Sequence, residues 1–189
     1  MKNILVCTDF SPNAHEAALF AGALARQASA RLILFHAYHP AVLLEEETIW
    51  ADPELLEHEV QEKIDRLAHE LHKTYGISVT RILKPGFPVE ETLALVPKVK
   101  ADLVVLGWTG AGKRLKEGAG KVTSELLRRA EFPVITLPQV SLPDTYPALF
   151  TFAETEITLG NAAGVALIKS FITLPDPETI TLKTPETQN

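Results

Sequence analysis

An open α/β fold, with five parallel strands and helices on both faces, is what this sequence predicts. Three observations carry the prediction. Short apolar runs alternate with longer segments of helical period as far as residue 138. Turn or capping residues punctuate the change from one kind of segment to the other, as at Ser11-Pro12 and Lys84-Pro85-Gly86. The run Asp102–Leu106 (DLVVL) is a strong signal for a central strand. Strands and helices in strict alternation call for a parallel sheet covered on both sides, with right-handed crossovers.

The first strand is expected over Ile4–Thr8, closing at Asp9. Ser11 caps the helix that follows, and Pro12 takes its first position. Ala14, Ala17, Ala18, Ala21, Leu24 and Ala25 recur at helical spacing, and such small residues let a helix sit close to a sheet. Arg31–Tyr38 reads as the second strand, and His39–Asp52 as a connection without a clear period. A long helix over Pro53–Tyr75 carries Leu56, Val60, Ile64, Leu67 and Leu71 on one side and stops at Gly76. Ile77–Leu83 alternates as a third strand, and Lys84-Pro85-Gly86 forms a turn. Pro88 opens a helix that Pro97 should kink or shorten. After Asp102–Leu106 comes a Gly- and Lys-rich loop, Gly107–Ala119, then a helix over Gly120–Ala130 that ends before Phe132-Pro133. Val134–Leu137 is the last of the five strands.

Residues 139–189 form an atypical C-terminal extension, rich in Pro and Thr and poor in Lys and Arg. Glu156–Leu159 and Thr179–Leu182 read as short strands, Gly164–Phe171 as an apolar stretch of open type, and Thr184–Asn189 as disordered. The alternation in Glu156–Leu159 suits a strand added to an open sheet edge, in the same chain or in a partner.

Composition narrows the function. The chain has 189 residues, 46% hydrophobic and 22% charged, which suits one globular domain with an extension. A net charge of -6 argues against a general nucleic-acid binder, which needs a basic surface to displace counterions from phosphate. Cys7 stands alone, so no intrachain disulfide forms and a reducing compartment fits. No apolar run of about 20 residues offers a membrane span. The expected location is cytoplasmic.

In a doubly wound sheet, ligands bind beyond the carboxyl ends of the strands. That directs attention to Asp9, to Ala37–Pro40, to Lys84–Phe87 and to Gly107–Thr123. The last of these contains Gly107-Trp108-Thr109-Gly110, nine further residues, and Gly120. Glycines there let the backbone approach a ligand, and unpaired N–H groups at a helix start attract an anion. Lys113, Arg114, Lys116 and Lys121 concentrate positive charge in an acidic chain.

The spacing G-x2-G-x9-G after a strand ending VVLG is similar to the ATP motif of the universal stress proteins. NILVCTDFSPNAHEAALFAGALA resembles the first strand and helix of that family, and LILFHAYHP, LKPGFPVEETLALV, ADLVVLGWTG and AEFPVITLP resemble its later landmarks in order. The resemblance covers residues 2–138. It implies a Rossmann-like fold of the adenine nucleotide alpha-hydrolase type, and a homodimeric stress-response regulator holding ATP, with or without magnesium. By the same resemblance Asp9 would meet the ribose or adenine region, and Ala37 would offer backbone contacts to adenine. Gly107 and Gly110 would admit the ribose and phosphates, and Gly120 and Thr123 would cap the phosphates. Lys121 departs from the pattern, since ATP-binding members carry Ser or Thr there. A lysine brings charge but loses a hydroxyl donor.

Plainer readings stand beside these. Asp9 suits a helix-capping role, the glycines suit a long loop, and the Lys/Arg run suits a solvated face. Trp108 could stack on a ligand or cover a contact between subunits. His69 and His72 lie three apart, without a carboxylate or Cys partner at diagnostic metal spacing. Cys7 reads as a packed strand residue. Ser11 and His15 lack a third partner, so no catalytic residue is named and any ATP cleavage would be slow. The rival functions are a ligand-free interaction protein on the same fold and an enzyme on a related doubly wound scaffold.

Overall fold

The structure, a computed structural model, describes residues 2–39, 41–44, 47–50, 53–109, 120–137, 157–159 and 182–183. The core strands are β1 (Asn3–Cys7), β2 (Arg31–Tyr38), β5 (Val79–Pro85), β6 (Leu103–Gly107) and β7 (Val134–Leu137). All four contacts between them are parallel, in the order β5-β2-β1-β6-β7. The chain therefore builds outward from β1 in one direction, then returns to β1 and builds in the other. Helices α1 (Pro12–Gln27), α2 (Pro53–Tyr75), α3 (Pro88–Val99) and α4 (Lys121–Arg129) make the connections.

The expected five-stranded parallel sheet is present, with additions. β8 (Ile157–Leu159) runs antiparallel to β7, pairing Leu159 with Ile135, and β9 (Leu182–Lys183) runs parallel to β8. Among the described residues the sheet thus has seven strands. A separate antiparallel pair, β3 (Ala41–Leu44) and β4 (Glu47–Trp50), occupies the connection in which the sequence shows no clear period. Each of its strands is too short to display a period. The third core strand begins two residues later than expected and takes in Lys84 and Pro85, because pairing with β2 continues through Tyr38. Pro97 sits in the last turn of α3, which runs on to Val99 before Lys100 closes it in the left-handed conformation. A proline so near the end removes little of the ladder. The stretches Gly164–Phe171 and Thr184–Asn189 lie outside the described residues.

Each face of the sheet packs its own core. Ile4, Val6, Leu32, Leu34, Leu103 and Val105 meet α1 and α2. Leu5, Ile33, Phe35, Val104 and Leu106 meet α3 and α4. The alanine stripe of α1 is fully buried and admits the ring of Tyr75 close to Gly22, where a Cβ would stand 2.6 Å from a ring carbon. Burial of each large aliphatic side chain contributes roughly 1.5–3 kcal/mol. No described helix is long and apolar enough to cross a membrane.

Candidate functional site

Strand order reverses between β1 and β6, so their carboxyl ends diverge and leave a crevice. A cavity of about 520 Å³ opens there, on the α3/α4 side. Cys7, Thr8 and Asp9 reach it from the end of β1, Phe35 to Ala37 from β2, and Leu106, Gly107 and Thr109 from β6. Pro88 and Thr92 of α3, and Gly120 to Thr123 with Leu126 of α4, form most of the remaining wall, which Ala14 of α1 completes. Of the residues singled out in the sequence, Asp9, Ala37, Gly107, Gly120, Lys121 and Thr123 come together in this cavity. Gly110, Lys113 and Arg114 lie outside the described residues. Trp108 does not line the cavity; its N–H donates to the Leu137 carbonyl at 2.7 Å.

One end of the cavity is the start of α4. Gly120 is its N-cap and supplies no side-chain acceptor. The Gly120 N–H is taken by the Trp108 carbonyl at 2.8 Å, and the first intrahelical bond is Ser124 N–H to Gly120 carbonyl. The amides of Lys121, Val122 and Thr123 precede that bond and have no partner within the helix. The positive end of the helix dipole lies here too, and the exposed Lys121 stands at the first helical position. Helix α1 differs, since its Ser11 Oγ accepts from the Ala14 N–H at 3.2 Å.

Two residues singled out at this end also have work in the fold. The Thr123 hydroxyl donates to the Gly107 carbonyl at 3.0 Å, so it ties α4 to β6 and does not offer its proton to a ligand. Gly107 is needed for the opposite face of the sheet. A Cβ there would stand 2.6 Å from Asn13 Oδ1. Asn13, buried at the start of α1, accepts from the Thr109 N–H at 2.9 Å and donates from Nδ2 to the Leu137 carbonyl at 3.2 Å. It thus braces the ends of β6 and β7. In the sequence Asn13 is marked only as a polar residue on the alanine-rich face of α1; its partners, more than 90 positions away, are not visible there.

The other end of the cavity is the end of β2. Strand alternation turns Tyr38 toward β5, whose Gly86 N–H donates to its carbonyl at 2.9 Å. Ala37 therefore turns its N–H and C=O toward β1, which has already ended at Cys7. No backbone partner meets either group among the described residues. Phe87, beyond β5, is exposed at the cap of α3 with its ring 4.9 Å from that of His39.

Between the two ends the wall is mainly apolar, and its polar groups satisfy one another. Thr92 Oγ1 donates to the Pro88 carbonyl at 2.6 Å. With that proton committed, the Cys7 thiol is the donor across the 3.6 Å to Thr92 Oγ1. Burial pushes this thiol up to about 11, so it stays protonated and is a poor nucleophile.

The turn after β1 is strained. Phe10 adopts φ 60°, uncommon for a bulky residue, with its N–H donating to Thr8 Oγ1 at 3.0 Å. Asp9 is exposed, and its Oδ1 accepts from the Ser11 N–H at 3.0 Å. His36 Nδ1 donates to the Thr8 carbonyl at 2.7 Å, and the ring lies 4.6 Å from that of Phe10. Burial lowers the His36 pKa, opposed by the Thr8 bond and by Asp9. The neutral ring with its proton on Nδ1 follows.

Two further histidines make contacts outside this cavity: His15 meets Glu70 at 3.0 Å, and His72 Nδ1 donates to the Ile77 carbonyl at 2.8 Å just past the end of α2. Among the described residues no group of three or more His, Cys, Asp or Glu could hold a metal ion.

Comparison with known proteins places this geometry. Residues 1–138 match the universal stress protein family. A universal stress protein of Methanocaldococcus jannaschii is 30% identical over 142 residues, covering 72% of this chain and 81% of the relative. Among solved structures, universal stress protein UspA from Lactobacillus plantarum superposes with a TM-score of 0.61 at 22% identity, covering 71% of this chain and 96% of the other. A universal stress protein in complex with cAMP superposes with a TM-score of 0.53 at 27% identity, covering 71% and 95%.

Proposed function

This chain belongs to the universal stress protein family, and from that premise we propose that it binds an adenine nucleotide, ATP above all, as a regulatory ligand of the stress response. The observation that carries the reading is the pairing of the two cavity ends. Uncapped amides and Lys121 lie at the start of α4, and the strand-free N–H and C=O of Ala37 lie at the end of β2. An adenine edge presents an amine donor beside a ring-nitrogen acceptor, which suits a backbone C=O beside an N–H. A polyphosphate suits the helix start. A volume of about 520 Å³ falls in the range of small-ligand sites. The related structure holding cAMP lends support for the ligand class.

Asp9 is the only carboxylate among the described lining residues. A magnesium ion would therefore enter on the phosphates and not in a protein cage. Among the described lining residues the groups able to take up a proton are Asp9 and His36, at the ends of β1 and β2 and not at the start of α4 where the phosphates would lie. The role is thus retention of nucleotide, with hydrolysis slow at most. The setting we propose is a cytoplasmic homodimer, whose contact avoids the β7 edge because β8 already covers it.

The test is thermal unfolding and equilibrium dialysis with Mg-ATP, adenosine and tripolyphosphate. The expected result is a rise in Tm with Mg-ATP, about 2.7 kcal/mol of added stability at a hundredfold excess over Kd, and smaller rises with either fragment. Absence of binding at millimolar Mg-ATP would leave the second reading, an interaction protein on the same fold. The observation favouring that one is Lys121 in place of the Ser or Thr of ATP-binding members.

A further inference from the structure

The β1–β2 ladder stops one rung early, and a side chain stands where it stops. Arg31 N–H donates to the Lys2 carbonyl at 2.8 Å, and Thr8 N–H donates to the Phe35 carbonyl at 2.9 Å. This alternation makes Ala37 N–H to Thr8 carbonyl the next bond in register. It does not form. The Thr8 carbonyl accepts from His36 Nδ1 instead, at 2.7 Å. Thr8 is 6% exposed, so water is a poor substitute partner for that carbonyl.

We propose that His36 is a positioning residue: by holding the Thr8 carbonyl, it keeps the Ala37 amide open to the ligand's base. This rests on the nucleotide reading of the cavity only for the ligand, not for the bond itself. The imidazole is supported from two sides. Phe10 packs on the ring at 4.6 Å, and its left-handed backbone turns the chain away from β2 directly after Asp9. The charged groups acting on the ring are Asp9 and Lys63, of opposite sign. Without the imidazole N–H, the buried carbonyl's donor in the β1–β2 register is the Ala37 amide. Taking it would extend the ladder by one rung and close the base end of the cavity. Loss of His36 should therefore harm recognition of the base and leave the phosphate end untouched.

Three proteins test this: the natural chain, His36→Phe and His36→Asn. Phenylalanine keeps the aromatic contact with Phe10 and lacks the donor. Asparagine places an N–H donor near the position of Nδ1. In the ligand-free proteins, amide hydrogen exchange at Ala37 should be about tenfold slower in His36→Phe than in the other two, as the new rung protects it. Unchanged exchange at Ala37, with the β1–β2 amides still protected, would overturn the proposal. Affinity gives the second readout. ATP should bind His36→Phe about tenfold more weakly, tripolyphosphate should bind equally, and His36→Asn should recover most of the loss. A parallel loss for both ligands would reduce His36 to a merely structural residue. If no variant folds, the nitrogen chemical shifts of the natural ring decide, since a proton on Nε2 with Nδ1 bare excludes the mechanism. If the natural chain binds no ATP, the nucleotide reading fails, and the exchange experiment still judges His36.

Discussion

The two faces of the sheet are built from the same strands yet do different work. On the α1/α2 face, a 16-residue and a 23-residue helix cover the strands, and α1 closes its own start with Ser11 and with Asn13 bound to β6 and β7. On the α3/α4 face the helices have 12 and 9 residues, and neither has a side-chain cap. The cavity lies on this second face. A helix start that α1 closes with its own side chain is left at α4 for an external acceptor. The sealed face supplies rigidity, and the open face can then keep unsatisfied groups in fixed positions.

The comparison breaks most clearly at its seam, where Asn13 occupies the space beside Gly107. Asn13→Leu should cost about 2–3 kcal/mol in urea unfolding, because it strands the buried Thr109 N–H and removes one of the two donors to the Leu137 carbonyl, which keeps the Trp108 N–H. Gly107→Ala should cost about 1–3 kcal/mol, since the new Cβ would lie 2.6 Å from Asn13 Oδ1 and 3.1 Å from its backbone carbon. Combining Gly107→Ala with Asn13→Ala should cost less than the two single changes added together, as the second removes the clash. Strict additivity would show that the two residues do not share this space.

A smaller change should convert the open face toward the sealed one. Gly120 has φ -60° and ψ 155°, which any residue can adopt. Gly120→Asp would supply the missing acceptor for the α4 amides. The free protein should gain a few tenths of a kcal/mol. Affinity for ATP should fall about tenfold or more, while adenosine is unaffected. Denaturation without ligand and calorimetry with each ligand read the two effects separately. A gain in stability with no loss of ATP affinity would show that the phosphates lie elsewhere.

Lys121→Ala should have a milder effect, because the side chain is exposed and its attraction to a phosphate is screened. We expect affinity for ATP to drop about two- to fivefold at low salt. The difference should shrink as salt is added. No change at low salt would assign Lys121 to solvent alone.

Much of this was legible in the sequence, and the unreadable parts share a physical reason. The limits of α2 and β7 match the expected ones because the helical period of Leu56 to Leu71 and the proline at 133 mark them locally. Asp9, Ala37 and Gly120 could be placed at the cavity because strand ends and helix starts are themselves local features. What escaped was set by contacts between distant residues. Gly107 reads as a ligand-admitting glycine until Asn13, 94 positions earlier in the chain, is found in its Cβ space. Thr123 reads as a residue that caps a phosphate, and only the fold shows that its hydroxyl is given to the Gly107 carbonyl while its amide stays at the helix start. The β3–β4 pair escaped for a different cause, since four-residue strands carry too little alternation to be recognised.

The smallest effect concerns the pH range over which the open face keeps its shape. His36 has a pKa lowered from 6.5, chiefly by burial, with Lys63 acting in the same direction and Asp9 and the Thr8 bond against it. Between that lowered value and 6.5 the unfolded chain carries a proton that the native chain does not. Stability therefore rises with pH in that window. It is fully present above pH 6.5, declines as pH falls through the window, and levels off below the native pKa. Subtracting the curve of His36→Phe from that of the natural chain isolates the contribution of this ring. The difference should be flat above 6.5 and slope downward toward acid, with the natural chain losing more. A slope of the opposite sign would mean that the ring is held as the cation, its Nε2–H bonded as well, and that its environment favours charge.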